Sequence, residues 1–208
     1  MAIFADRRDA GHQLARDLDA WRGSDAVVFG IPRGGIVVAA VVAHGLGLPL
    51  RAAVVRKLGA PAHEEFAIGA IAEDVRVIDD DALCAGRITP AQLSDVEDRE
   101  RIELRRRTAL FAAAEDIAGR IAIVIDDGVA TGATATAACR SLRAREAESI
   151  VLAVPVAPAT WLPDADAADV FVCPHREHDF WAVGPFYDDF TQTSDAEVVE
   201  LLSHDLRG

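Results

Sequence analysis

The chain has 208 residues, of which 51% are hydrophobic, and carries a formal net charge of −13. This length and apolar content suit one α/β domain, and the negative charge argues against nucleic-acid or anionic-membrane partners. The N-terminus lacks the apolar stretch of a signal peptide, so we expect a cytoplasmic protein without a membrane partner. The scattered cysteines, Cys84, Cys139 and Cys173, disfavour both disulfides and a cysteine metal site.

The first elements are a helix, a short strand and a glycine loop. The pattern predicts a helix from Asp6 to Trp21 and a buried strand from Ala26 to Phe29. The residues GIPRGG follow at positions 30–35, and a second helix then continues to about His44.

Three residues of this glycine loop are suited to an anionic ligand. Gly34 and Gly35 allow a backbone to approach a ligand closely, because neither has a side chain. Arg33 supplies a forked donor that fits phosphate. Taken alone, an ordinary strand–helix turn with a solvated arginine is an equally good interpretation.

The next part of the chain predicts strands around a polar loop, followed by a long charged helix. Residues 50–55, 67–73 and 75–78 have strand patterns, and the polar span 57–66 between the first two is typical of a mobile loop. Residues 89–116 predict one helix rich in Arg and Glu. Its charges favour a solvated face with i,i+4 pairs over a ligand role, for instance across a dimer interface.

A buried strand followed by two acids is the most informative stretch of the sequence. Ile121 to Ile125 is apolar and mostly β-branched, and Asp126 and Asp127 follow at once. The small residues 128–133 then lead into an alanine-rich helix. A glycine-containing loop before a helix predicts an anion site, although no lysine follows the last glycine as in a Walker loop. Two carboxylates beside a phosphate site imply a ligand that also offers hydroxyl groups or Mg²⁺.

Strands at 149–154 and 169–172 complete an alternation of strands and helices that predicts a mostly parallel sheet. Both glycine loops follow strands, so we expect them to meet at one edge of that sheet. The aromatic-rich segment 173–190 precedes a last helix that begins at Ser194 or Asp195. These aromatics either shield a ligand or pack the tail onto the core.

Residues 121–136 closely resemble the phosphoribosyl pyrophosphate (PRPP) motif of type I phosphoribosyltransferases, and GIPRGG resembles their pyrophosphate loop. RKLGAP at 56–61 and AVGPFYDDF at 182–190 look like a group of bacterial predicted phosphoribosyltransferases. The resemblance implies a single domain over residues 1–208, with a doubly wound, mostly parallel α/β sheet. It also implies a flexible loop at 57–66 and a small hood, for which 173–208, including the C-terminal helix, is the candidate; the N-terminal helix is the alternative hood.

By this resemblance the protein transfers a phosphoribosyl group from PRPP to a nitrogenous acceptor and releases pyrophosphate. The acids orient the ribose, the loop holds the 5′-phosphate, and Mg²⁺ arrives on PRPP with Asp126 and Asp127 as its candidate protein contacts. A homodimer is expected. The implied catalytic residues are Asp126, Asp127, Arg33, Lys57 and Glu65. The implied PRPP-binding residues are Arg33, Gly34, Gly35, Asp126, Asp127, Gly128, Val129, Ala130, Thr131, Gly132, Ala133 and Thr134.

The acceptor is not identified by the sequence. In 6-oxopurine phosphoribosyltransferases an aspartate precedes the TG pair, but Ala130 stands at that position here. Glu64 or Glu65 is the nearest candidate for a replacement acid or base. Two alternative functions are a regulatory PRPP-binding module without catalysis and a phosphosugar or nucleotide hydrolase.

Overall fold

The computed structural model describes residues 2–61, 63–73, 75–111 and 116–205, without the side chains of Glu65, His204 and Asp205. The described helices are α1 (Arg7–Asp17), α2 (Gly34–Leu46), α3 (Asp80–Gly86), α4 (Pro90–Phe111), α5 (Ala133–Ala144) and α6 (Asp195–Asp205). The described strands are β1 (Val27–Gly30), β2 (Leu50–Ala52), β3 (Arg56–Ala60), β4 (His63–Ile71), β5 (Arg76–Ile78), β6 (Ile121–Ile125), β7 (Ser149–Ala153), β8 (Val156–Pro158), β9 (Val170–Val172) and β10 (His175–Glu177).

Five parallel strands form the central sheet in the order β2-β1-β6-β7-β9. Alternate residues of β1 and β6 point to opposite faces, so Phe29 and Val124 belong to one buried cluster and Val28 and Ile123 to another. The first cluster includes apolar residues of α5, and the second includes those of α1 and α2. Burial on both faces explains the continuous apolar run of β6 and confirms the predicted parallel α/β fold.

The strands β3, β4 and β5 form a second, antiparallel sheet, which contacts α4 and α5. Its core contains Leu58 and Ile68, which pack with Leu93 and Leu104 of α4. The span 57–66, expected to be a flexible loop, contains most of β3 and the start of β4. Its closure over a ligand stays a prediction.

Several element boundaries differ from the sequence expectation. The first helix ends at Asp17, and a 3-10 turn at 19–21 follows it. The short elements β8, β10 and α3 were not expected, because three-residue strands and a seven-residue helix carry too few residues for a periodic pattern. The charged helix α4 begins at Pro90 as predicted, whereas positions 112–115 of its expected C-terminal end lie outside the described residues.

Within the described ranges, no helix combines the length and the apolarity that are needed to cross a membrane.

Candidate functional site

The two glycine loops meet at the carboxyl edge of β1 and β6. The strands run side by side with Gly30 opposite Ile125, and the Ile31 amide donates to the Ile125 carbonyl oxygen at 2.8 Å. A Cβ atom at Gly35 would lie 2.8 Å from that same oxygen. At Gly34 it would lie 2.0 Å from Oδ2 of Asp127. The glycines therefore allow the first loop, which contains a cis Pro32–Arg33 peptide, to lie directly against the acid pair.

A cavity of about 480 Å³ opens beside this contact. Asp126 and Lys57 line it together with most of the loop that follows the acids. Trp181, whose surface is 94% exposed, and the two residues after it also line the cavity. The lining residues are Lys57, Ala67, Asp126, Gly128, Val129, Ala130, Thr131, Gly132, Thr134, Ala135, Trp181, Ala182 and Val183.

The loop from 128 to 134 contacts Val156 and Trp161, and no side chain caps the helix α5 that follows it. The Val129 amide donates to the Val156 carbonyl oxygen at 3.0 Å. Gly132 has a φ of +82°, and a Cβ atom there would lie 2.3 Å from the Trp161 ring. The start of α5 has no side-chain cap, so its first amide groups lack a side-chain acceptor. Amide groups at the start of a helix can bind an anion, and the anion site at this loop stays a prediction.

The two acids are buried next to each other, but they have different partners. Oδ1 of Asp126 accepts a hydrogen bond of 2.9 Å from the Asp127 amide. Oδ2 of Asp127 accepts from Nε of Arg7 at 2.7 Å, with side chains only 15% and 11% exposed. Burial raises the pKa of both carboxyl groups, and the neighbouring Asp127 charge raises the pKa of Asp126 further. The Arg7 charge opposes the rise in the pKa of Asp127.

Arg7 is a site residue that the motif-based interpretation missed. Its Nη1 donates to the Thr191 carbonyl oxygen at 2.8 Å, and its guanidinium lies 3.9 Å from the centre of the Phe190 ring. The Tyr187 hydroxyl donates to the main-chain oxygen of Asp127 at 2.6 Å. No signal in the sequence identifies this pairing, because the start of α1 already has carboxylates in the N-cap Asp6 and in Asp9.

Arg33 is not among the residues that line the cavity. Its Nη1 is 3.8 Å from Oδ1 of Asp195, the first residue of α6. The other oxygen of Asp195 accepts from Nη2 of Arg106 at 2.7 Å. Arg106 and Arg107 also pair with Glu103 at 2.7 and 2.8 Å, as expected for a helix face laced with ion pairs. The glycine loop is thus tied electrostatically to α6 and α4.

The remaining predicted residues separate into two groups. Lys57 reaches the cavity, and Trp181 to Val183 place part of the candidate hood there. The C-terminal helix α6 instead packs on α2, α4 and β2. Glu64 is exposed, and the side chain of Glu65 lies outside the described part of the structure. Among the described residues, no group of three or more His, Cys, Asp or Glu side chains is arranged to hold a metal ion.

The parallel sheet, with its paired glycine loops and acids at one edge, defines a type I phosphoribosyltransferase fold. The family profile described as "Phosphoribosyl transferase domain" matches residues 2–191, and the chain belongs to this family.

Relatives agree with this assignment. Two Mycobacterium tuberculosis proteins, from strains CDC 1551 and H37Rv, are both named "Putative phosphoribosyl transferase" and are each 48% identical over 207 residues. The match covers 97% of this chain but 47% of each relative, so the chain spans about half their length. TT1426 from Thermus thermophilus, whose crystal structure is known, is 36% identical in sequence to this chain. Its structure superposes with a TM-score of 0.74, and the match covers 98% of this chain and 99% of TT1426.

Proposed function

We propose that this protein is a PRPP-dependent phosphoribosyltransferase that transfers the 5-phosphoribosyl group to a nitrogenous acceptor and releases pyrophosphate. The observation that carries the proposal is one cavity in which Asp126, Lys57 and the uncapped start of α5 converge. Such a cavity offers one ligand a carboxylate, a cation and the amides at the start of α5, which no side chain caps. A phosphorylated sugar needs all three kinds of group.

In this proposal each part of PRPP has its own contact. The 5′-phosphate lies in the loop 128–134, where backbone amides and the hydroxyls of Thr131 and Thr134 donate to it. Asp126 accepts hydrogen bonds from the ribose hydroxyls. Lys57 neutralises the pyrophosphate, together with Arg33 after its guanidinium turns from Asp195.

The residues act by position and charge rather than by covalent chemistry. The bond from ribose C1′ to pyrophosphate breaks as the acceptor nitrogen approaches, and positive charge develops on the ribose. Closure of the 57–66 hairpin and of Trp181 over the cavity would exclude water, which would otherwise hydrolyse PRPP. Both segments already border the site.

The acid pair also fits a magnesium ion that arrives with PRPP. Mg²⁺ prefers oxygen ligands and keeps several waters and substrate phosphates, so it needs few protein carboxylates. Asp126, with Asp127 behind it, would hold such an ion, which supplies charge neutralisation to the pyrophosphate when bound. The raised pKa of Asp126 is consistent with a carboxylate whose charge is stabilised only by a ligand.

The family likeness further supports a homodimer in the cytoplasm. All three cysteines are free, which suits a reducing compartment. Sedimentation equilibrium of the purified chain tests the proposed dimer directly.

Turnover is the direct test of the proposed activity. We expect the protein, incubated with PRPP, Mg²⁺ and a panel of purine and pyrimidine bases, to release pyrophosphate in a base-dependent manner. PRPP binding without base-dependent release would instead indicate the regulatory alternative. Equal release with and without a base would indicate a hydrolase.

We predict negligible activity with hypoxanthine and guanine. Ala130, which lines the cavity, has no side-chain group to accept the purine N7 proton. General base assistance typically contributes about a hundredfold to ten-thousandfold in rate. The measurement is chromatographic quantification of inosine and guanosine monophosphate, with adenine and uracil as the comparison acceptors. Robust formation of either monophosphate would contradict the prediction.

A further inference from the structure

The two carboxylates of the acid pair are not equally available to a ligand. Asp126 lines the cavity, whereas Asp127 is not among the lining residues. Oδ2 of Asp127 is already bound to Arg7, and Gly34 lies so close that even a methyl group there would overlap this oxygen. The neighbouring acids therefore face different partners, although the motif treats them alike.

Arg7 connects this carboxylate to both ends of the described chain. It begins α1, pairs with Asp127, and donates to Thr191 while lying over Phe190. Tyr187, from the same C-terminal segment, binds the main-chain oxygen of Asp127. The Asp127 side chain is thus held by Arg7 and its backbone by Tyr187, and the direction of the adjacent Asp126 follows from both contacts.

We propose that the acids have separate tasks: Asp126 binds the ribose, and Arg7 is a positioning residue that holds the Asp127 carboxylate in place. This inference rests on the proposed function, since it assigns the roles within the same site. In this assignment Asp127 does not bind the ribose. It orients Asp126, because its amide donates to Oδ1 of Asp126.

The contacts of Asp127 predict which part of a ligand depends on Arg7. Arg7 holds Oδ2 of Asp127 at 2.7 Å, and Asp126 directly precedes Asp127 in the chain. Without Arg7, the Asp127 carboxylate loses this partner, and the direction of the Asp126 side chain is less well defined. The ribose contact should therefore weaken, whereas the phosphate contacts of the loop 128–134 do not involve Arg7.

The test compares Arg7→Ala and Arg7→Lys with Arg8→Ala by calorimetric titration of ribose 5-phosphate and inorganic phosphate. Arg8 is the matched control, because it is exposed and no ion pair to another described residue involves it. We expect Arg7→Ala to bind ribose 5-phosphate about tenfold more weakly, with phosphate affinity almost unchanged. Arg7→Lys retains a cation beside Asp127 and should restore most of the ribose 5-phosphate affinity. Arg8→Ala should behave like the wild type.

Wild-type affinity in Arg7→Ala would overturn the inference. So would an equal loss for sugar and phosphate, because that result indicates a purely structural role. If Arg7→Ala does not fold, Arg7→Lys and Arg7→Gln decide the matter in the same way, since only lysine retains the charge. Failure of the wild type to bind ribose 5-phosphate would contradict the proposed function itself, which separates the two hypotheses.

Discussion

Replacement of Asp126 by asparagine is expected to weaken PRPP binding about a hundredfold without lowering the free energy of unfolding. Each hydrogen bond to a charged group contributes about 1.5–3 kcal/mol, and about 1.4 kcal/mol corresponds to a factor of ten in affinity. An amide presents a donor at one of the two positions where the ribose hydroxyls need acceptors. Loss of one such bond, at the upper end of this range, gives the predicted effect.

The effect on stability is expected to be neutral or favourable, because burial and the neighbouring Asp127 charge raise the pKa of the Asp126 carboxyl group. Its pKa in the folded protein lies above the unfolded value, so the ionised group destabilises the fold above the unfolded pKa. Asparagine retains an oxygen for the Asp127 amide and removes the buried charge. At neutral pH, denaturant unfolding should therefore show equal or greater stability than the wild type.

Asp98→Asn is the control for this experiment, because Asp98 lies exposed on α4. It should change neither PRPP affinity nor stability. Unchanged PRPP affinity in Asp126→Asn would remove the central contact of the proposed site. A large loss of stability would show that Asp126 has a structural role instead.

Gly35→Ala is expected to lower the free energy of unfolding by about 3 kcal/mol, at the upper end of overpacking costs. The added carbon would lie 2.8 Å from the Ile125 carbonyl oxygen and 2.9 Å from the Asp126 Cα atom. Both are backbone atoms at the end of a central strand, so they cannot move aside as a flexible side chain would. The melting temperature should fall by about 6–12 °C for a chain of this size.

Gly45→Ala is the matched control in the same helix. Its new carbon would have one neighbour, at an ordinary 3.5 Å from Ala15. Alanine is favoured over glycine inside a helix by about 1 kcal/mol, so this variant should be slightly more stable than the wild type. Similar melting temperatures for the two variants would show that the contact between the glycine loop and β6 is not tightly packed.

The sequence predicted those parts of the site that follow from local pattern. The run Ile121 to Ile125 identifies a buried strand, and parallel strands place the loops after them at one edge. The expected contact of Gly35 with a ligand stays a prediction. In the structure the missing side chain also makes room for the end of β6, which is distant in sequence.

The contacts that complete the site could not be predicted, because they join remote segments. The pairing of Arg7 with Asp127 depends on how α1 docks beside α2, which no local pattern specifies. The support of Val129 by Val156 depends on β8, a strand of only three residues.

The bonds that Arg7 makes also determine when the site can form during synthesis. They join residues 120 and 184 positions apart, the second from Arg7 to Thr191. Such distant pairings form slowly, because the chain between them must first be ordered. On the ribosome, the sheet strands β1 and β6 emerge well before Thr191, so a nascent chain holds the acid pair without its complete support. We therefore expect ligands of the site to bind only after Thr191 has been synthesised and has paired with Arg7, and to stabilise the folded state over incompletely folded copies.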